Sequence, residues 1–222
     1  FSWQNKMRLP CIGIDDMNLY VTPLALTTET LKQGRDLSDK MVEDVGFVRR
    51  SIVPPFEDVV TLAVNAAQPI VEDSDKSSYS LLVVGTESSF DFGKPISTYI
   101  HHYLGLSPNC RNFEVKHACY SGTASLLMAT SWLAQNGEEN SRALVVMSDV
   151  SRLHLADAEE ITTGSGAIAI SVARNPRVLA IDTKHTGTAA HEVFDVARPT
   201  KTFECGDPVL SLYSYLDLIE TA

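Results

Sequence analysis

Residues 113–136 read FEVKHACYSGTASLLMATSWLAQN. The first five residues alternate as a short strand, the chain turns at Ala118-Cys119, and a helix follows with no charged side chain from Ala118 to Asn136. A surface helix carries a polar stripe; one this long and this free of charge is normally buried on all sides. The expectation is therefore a central helix enclosed between layers. Its first turn places a thiol, Cys119, where strand hands over to helix. Unpaired N–H groups at a helix N-terminus favour negative charge, which predicts a lowered thiol pKa and a reactive thiolate. Strand-to-helix turns that present a nucleophile recur in acyl-transfer enzymes. The competing reading is that Cys119 is simply a small buried hydrophobe.

Outward from this stretch, SLLVVGT (80–86) and RALVVMSDV (142–150) are continuous apolar runs of strand length. Such runs fit strands covered on both faces of a parallel sheet. FEDVVTLAVNAAQPIVED (56–73) has apolar residues at helical spacing, with Pro69 a candidate kink. Residues 93–104 read as a helix closed by Gly105 and Pro108, and 28–46 as one or two short charged helices. CIGIDDMNLYV (11–21) reads as a first strand, and GFVRRSIVPP (46–55) as a loop. GAIAISVA (166–173) and VLAIDTK (178–184) have the spacing of a hairpin. The tail is irregular until a last helix begins near Leu210. Strands alternating with helices, then two close strands, imply an α/β fold: a mostly parallel sheet with an antiparallel addition at one side.

The 222 residues carry a formal net charge of -10, which argues against nucleic acid and anionic membrane as partners. The four cysteines (11, 110, 119, 205) show no metal-ligand spacing and are too sparse for a disulfide scaffold. A reducing, cytoplasmic setting is expected. No apolar run reaches membrane-spanning length, and the first ten residues lack a signal-peptide core. The chain begins at Phe1 rather than Met, which suggests a processed, tagged or partial start.

Three polar side chains sit at ends of buried runs: Glu87, Cys119 and Asp149. In open α/β sheets, ligands collect outside the carboxyl ends of the strands. A carboxylate in an apolar cleft can serve as general acid or base. Glu87 also reads as a solvated loop residue, and Asp149 as a loop cap bonding backbone N–H groups. TTGSGA (162–167) is either a cradle for an acyl or phosphate group or only a turn. His117 and the pair His101-His102 lack a reason to be catalytic.

The run VVGTESSFDFGKPISTYIHHYLGL (83–106) with CRNFEVKHACYSGTASLLMA (110–129) resembles the 3-hydroxy-3-methylglutaryl-CoA synthase family of the thiolase superfamily. GSGAIAI (164–170) is similar to that family's Gly-rich strand entry. The resemblance implies a thiolase-like αβαβα layered fold, of which residues 1–222 supply mainly the first half. It implies that Cys119 is the nucleophile and Glu87 the general acid/base, and that Asp149, Thr163, Gly164 and Asp195 lie near the substrate. The catalytic histidine belongs to a second half not present here. No metal or organic cofactor is implied. The tail from Asp195 to Asp217 looks like the homologues that install β-branches on polyketides, whose substrates ride on acyl carrier proteins. For that group the connector 155–163 is short. A donor and an acceptor carrier protein are the implied partners, in a homodimer. Two other readings stand beside this one: mevalonate-pathway chemistry on acetyl-CoA and acetoacetyl-CoA, and a non-catalytic thiolase-like subunit.

Overall fold

A computed structural model describes residues 11–35, 37–46, 48–151, 160, 163–200 and 205–222. In chain order its elements are β1 (Ile12–Val21), β2 (Leu24–Thr27), α1 (Thr28–Arg35), α2 (Asp39–Val45), β3 (Arg49–Ile52), α3 (Val59–Glu72), β4 (Tyr79–Gly85), α4 (Ser97–Leu104), β5 (Arg111–Val115), α5 (Tyr120–Asn136), β6 (Arg142–Asp149), β7 (Gly166–Arg174), β8 (Leu179–Ala180), β9 (Val196–Ala197), β10 (Cys205–Gly206) and α6 (Pro208–Thr221). They form two compact units.

The first unit holds the described residues up to Thr22, Val53–Val150 and Ser165–Ile181. Its six-stranded sheet runs β5-β4-β6-β7-β1-β8. β5, β4 and β6 are parallel, and β7, β1 and β8 add antiparallel. Period-two alternation sends Leu82, Val84, Leu144 and Val146 to a core shared with α3 and α4. It sends Leu81, Val83, Ala143 and Val145 to the opposite core, against Ala129 and Leu133 of α5. Each fully buried Leu or Val contributes about 1.5–3 kcal/mol, so β4 and β6 anchor both layers. Asp58 caps α3 by accepting from the N–H groups of Val60 and Thr61, while Thr61 Oγ1 accepts from Asp58 N. α3 runs through Pro69 without ending there and stops at Glu72.

Several expectations need correction. β8 does not form a hairpin with β7; both pair with β1, which lies between them. At that crossing a Cβ on Gly13 would lie 1.9 Å from the carbonyl oxygen of Leu179, so only glycine fits. Residues 49–52, expected as loop, form β3. α4 begins at Ser97, not near 93. Nor is α5 buried on all sides. It turns Ser121, Gly122, Ser125 and Ala129 to the sheet, small residues that let it approach closely, while Tyr120 and Met128 are 49% and 46% exposed. The same side of the sheet is open beyond the helix, where Met17 and Leu19 of β1 pair with Ile170 and Ile168 of β7 and are 51% and 60% exposed.

A register shift in β1 between Ile14 and Asp16 turns Asp15 inward, 5% exposed. Its carboxylate accepts from Arg142 Nη1 at 2.6 Å and Arg177 Nε at 3.1 Å. Burial pushes its pKa up, but bonds from Arg177 and Arg142 more than offset that and hold it below the ordinary range. A depressed carboxylate contributes stability above its unfolded pKa, about 3.9, and loses it as pH falls. Asp15→Asn should cost about 2–3 kcal/mol at neutral pH, less than a fully buried pair because Arg177 is mostly solvated. The gap in denaturation midpoint from wild type should close in acid; a gap constant with pH would show that the ion pairs are not its source.

The second unit comprises Pro23–Ile52, Ser151–Gly164 and Asp182–Ala222 in its described parts. β2 and β3 pair antiparallel, as do β9 and β10. Arg35 clasps both oxygens of Glu160, at 2.8 and 3.1 Å. Asp207 caps α6 through the N–H groups of Val209 and Leu210. Most of the connector 155–163 lies outside the described residues.

Candidate active site

Glu87 and Cys119 follow the carboxyl ends of the neighbouring parallel strands β4 and β5, and Asp149 ends β6. The elbow after β5 is tight. Ala118 sits at φ 41, in the left-handed region that non-glycine residues rarely occupy, and Ser121 N–H closes the turn onto its carbonyl at 3.1 Å. Cys119 is the N-cap of α5, with its residue surface exposed. Two glycines let the elbow settle on the sheet. A Cβ on Gly122 would meet Met147 Sδ at 2.5 Å, and one on Gly85 would meet Ser121 at 2.9 Å.

The thiol of Cys119 donates to Glu87 Oε1 at 3.7 Å. Glu87 is held in turn by its loop. Asp149 Oδ1 accepts from Thr86 Oγ1 (3.0 Å), Glu87 N (2.7 Å), Ser88 N (3.1 Å) and Ser88 Oγ (2.7 Å). Ser88 Oγ also accepts from Val150 N at 2.9 Å, and Thr86 N donates to Val115 O at 3.3 Å. The base of β6 thus fixes the Thr86-Glu87-Ser88 turn through one carboxylate oxygen. The loop-cap reading of Asp149 describes this contact.

The thiol's pKa moves opposite to the expectation. Burial of the sulfur pushes it up, and the Glu87 carboxylate adds to the rise by charge and by accepting the S–H; only the residue's own N–H opposes them. The helix terminus is present, but a nearby anion and lost hydration outweigh it. At neutral pH the group is a thiol, so its attack on an acyl carbon needs a base.

The other candidates have local partners of their own. Thr163, Gly164 and Asp195 belong to the second unit. There Thr163 Oγ1 accepts from Ser151 Oγ at 2.8 Å, a Cβ on Gly164 would lie 2.9 Å from Ser51 Oγ, and the Asp195 carbonyl accepts from Asp207 N at 2.7 Å. His117 packs edge-on against Tyr120, ring centroids 5.1 Å apart. His101 Nε2 lies 3.0 Å from the Ser107 carbonyl, a bond inside its own turn. Among the described residues no group of three or more His, Cys, Asp or Glu is disposed to hold a metal ion, and no helix is long and apolar enough to cross a membrane.

A family model described as hydroxymethylglutaryl-coenzyme A synthase N terminal matches residues 10–176. The chain belongs to the hydroxymethylglutaryl-CoA synthase family. It is 41% identical over 221 residues to the polyketide biosynthesis 3-hydroxy-3-methylglutaryl-ACP synthase PksG of Bacillus subtilis (strain 168), covering 94% of this chain and 53% of that protein. The curacin biosynthetic pathway HMG synthase, solved in complex with holo donor-ACP, superposes with a TM-score of 0.90 at 39% identity, over 96% of this chain and 53% of that one. MvaS, solved with 3-hydroxy-3-methylglutaryl coenzyme A, gives a TM-score of 0.91 at 33% identity, over 96% and 52%. The chain therefore spans about half the length of the family members it matches. The mixed α/β fold is that of these thiolase-like synthases.

Proposed function

We propose that the whole protein is an acyl-transferring, carbon–carbon bond-forming synthase acting on thioesters of acyl carrier proteins, in the manner of polyketide β-branching. The observation that carries this reading is the Cys119 thiol 3.7 Å from a Glu87 carboxylate at the end of a parallel sheet. Cys119 attacks an acetyl thioester, and the carrier thiol leaves. The acetyl methyl then lies two bonds from the sulfur, within reach of a carboxylate at this distance. Glu87 removes a methyl proton; the enolate carbon adds to the β-carbonyl of an acceptor acyl chain, and the alkoxide takes a proton. Water then cleaves the enzyme thioester, freeing a carboxylate and the thiol. The enolate oxygen needs fixed donors, and the Cys119 N–H at the helix terminus is the local one. Each step uses side chains and thioesters, so no metal or organic cofactor is required.

The Cys119 thiol, raised in pKa, takes its base from outside residues 1–222: the histidine that the family resemblance implies in a second half. These residues form the N-terminal part of a thiolase-like synthase domain whose remainder covers the apolar side of α5. Thr163, Gly164 and Asp195 are assigned to the substrate pocket on the same resemblance, and Asp149 to its base. Partners are a donor and an acceptor carrier protein; the assembly is a homodimer in the cytoplasm.

The identities favour the carrier-protein reading over mevalonate-pathway chemistry on CoA, at 41% and 39% against 33%. TM-scores of 0.90 and 0.91 do not separate the two. Substrate competition does. Remote contacts to a carrier protein raise rate as well as affinity. Acetyl-carrier protein should acylate Cys119 at least about tenfold faster than acetyl-CoA at equal concentration, read by intact-protein mass. Equal rates, or preference for CoA, would favour the mevalonate reading.

A further inference from the structure

The segment between Glu87 and α4 is fastened to β5 by the side chain of Glu114. α4 begins without a cap of its own: its N-cap residue, Ile96, makes no side-chain cap bond. Glu114, on β5, supplies one from outside the helix. Its Oε2 accepts from Ile96 N at 2.8 Å and from Ser89 Oγ at 3.3 Å. A carboxylate at a helix N-terminus is well placed electrostatically. Alternation along β5 makes this possible. Phe113 and Val115 pack toward α5, so Asn112 and Glu114 face α4, where Asn112 Oδ1 accepts from Ser97 Oγ at 2.9 Å. Between the two Glu114 contacts the loop makes its own turn, with Asp91 Oδ1 accepting from Gly93 N and Lys94 N.

One oxygen therefore joins both ends of the Ser89–Ile96 loop to the strand that runs into the Cys119 elbow. Ser89 is two residues from Glu87; Glu114 is five from Cys119. Asp149 grips the same turn from β6, which pairs with β4 and β7 and is not a neighbour of β5, the strand that leads into Cys119. The brace between nucleophile strand and acid/base loop is Glu114, with the Thr86 N to Val115 O bond beside it.

We infer that Glu114 is a positioning residue for the condensation step, setting the Glu87 carboxylate against the acyl group on Cys119. This rests on the acyl-transfer reading above. A misplacement of about 1 Å at a reacting group can cost on the order of a hundredfold in rate. The brace touches the acid/base loop, so it should act on methyl deprotonation and condensation and spare acetyl uptake.

The test uses the full-length protein. Glu114→Ala should slow condensation, and deuterium exchange into the bound acetyl methyl, by about ten- to a hundredfold. Acetylation of Cys119 should change by no more than about twofold. Glu114→Gln keeps a neutral acceptor and should recover most of the loss. Asn112→Ala removes a bond at the same helix start; it should lower the melting temperature comparably while leaving condensation within about twofold. Should Glu114→Ala fail to fold, Glu114→Asp, which keeps the charge and shortens the reach, is expected to show the same selective loss. Equal slowing of condensation by Glu114→Ala and Asn112→Ala, or equal slowing of both half-reactions by Glu114→Ala, would overturn the assignment. Glu87→Gln run alongside separates the two ideas. If it condenses normally, the acyl-transfer reading of Glu87 falls and takes Glu114 with it. If it fails to condense while Glu114→Ala condenses normally, only the Glu114 role is lost.

Discussion

The Glu87→Gln protein is expected to accept an acetyl group on Cys119 at close to the wild-type rate and to condense more slowly by a factor on the order of a hundred or more, the usual effect of losing a placed acid/base. Only the carbanion step needs a proton taken from the methyl group. The amide keeps the shape of the carboxylate, so the thiol retains a neighbour of the same size. A second effect should accompany the loss. The Glu87 charge is one of the causes that hold the Cys119 thiol above its ordinary pKa. Removing it stabilises thiolate, so alkylation by iodoacetamide at neutral pH should become faster, although burial keeps the pKa raised. The pair of results is diagnostic: a more reactive thiol in a slower enzyme. Acetylated protein, about 42 Da heavier, should accumulate when acceptor is supplied. Near-normal condensation by Glu87→Gln would make Glu87 a structural residue.

The parts of this site set by local pattern were legible in the chain, and the parts set by contact between distant segments were not. The apolar runs around Leu82 and Val145 predict doubly covered strands, and β4 and β6 are such strands. The elbow at Cys119 follows from a strand pattern ending in small residues before an uncharged helix. Absence of charge on α5 predicts enclosure. In the structure the inner face is small rather than large, with Ser121, Gly122 and Ser125 against the sheet. The pairing of β8 with β1 joins residues 13 and 180, which no local spacing encodes; the nearer strand β7 was the natural partner to expect. The rise in the thiol's pKa comes first from burial and then from a carboxylate 32 residues away in sequence, and neither is written in the local pattern. Glu114 lies within the FEVKHACY stretch, 113–120. Strict alternation would have put it on the face opposite Phe113, but nothing local says that a helix start lies there.

Residues 1–222 expressed alone should bind hydrophobic dyes and melt broadly, and the proposed second half, fused or added in trans, should restore a sharp transition. The reason is the bare side of the first unit. Met17, Leu19 and Val21 of β1 are 51%, 60% and 50% exposed, and Tyr120 and Met128 of α5 are 49% and 46% exposed. Asn18 and Tyr20 alternate to the other face, where Asn18 Nδ2 donates to the Ala66 carbonyl of α3. The exposed five therefore share the α5 side of one sheet. Roughly 400 Å² of apolar surface left in water forgoes about 10 kcal/mol at about 25 cal/mol per Å². That is comparable to the whole stability of a domain, about 5–15 kcal/mol. A loosely packed, dye-binding state is the physical consequence. In the full-length protein the same face should be covered, so Leu19→Glu should destabilise it by about 2–3 kcal/mol or more, as burying an unpaired carboxylate would. On an exposed surface the same substitution costs within about 0.5 kcal/mol. A cooperatively melting 1–222 that excludes dye, together with a neutral Leu19→Glu in the full-length protein, would mean that the fold closes within these residues and that no second half packs on α5.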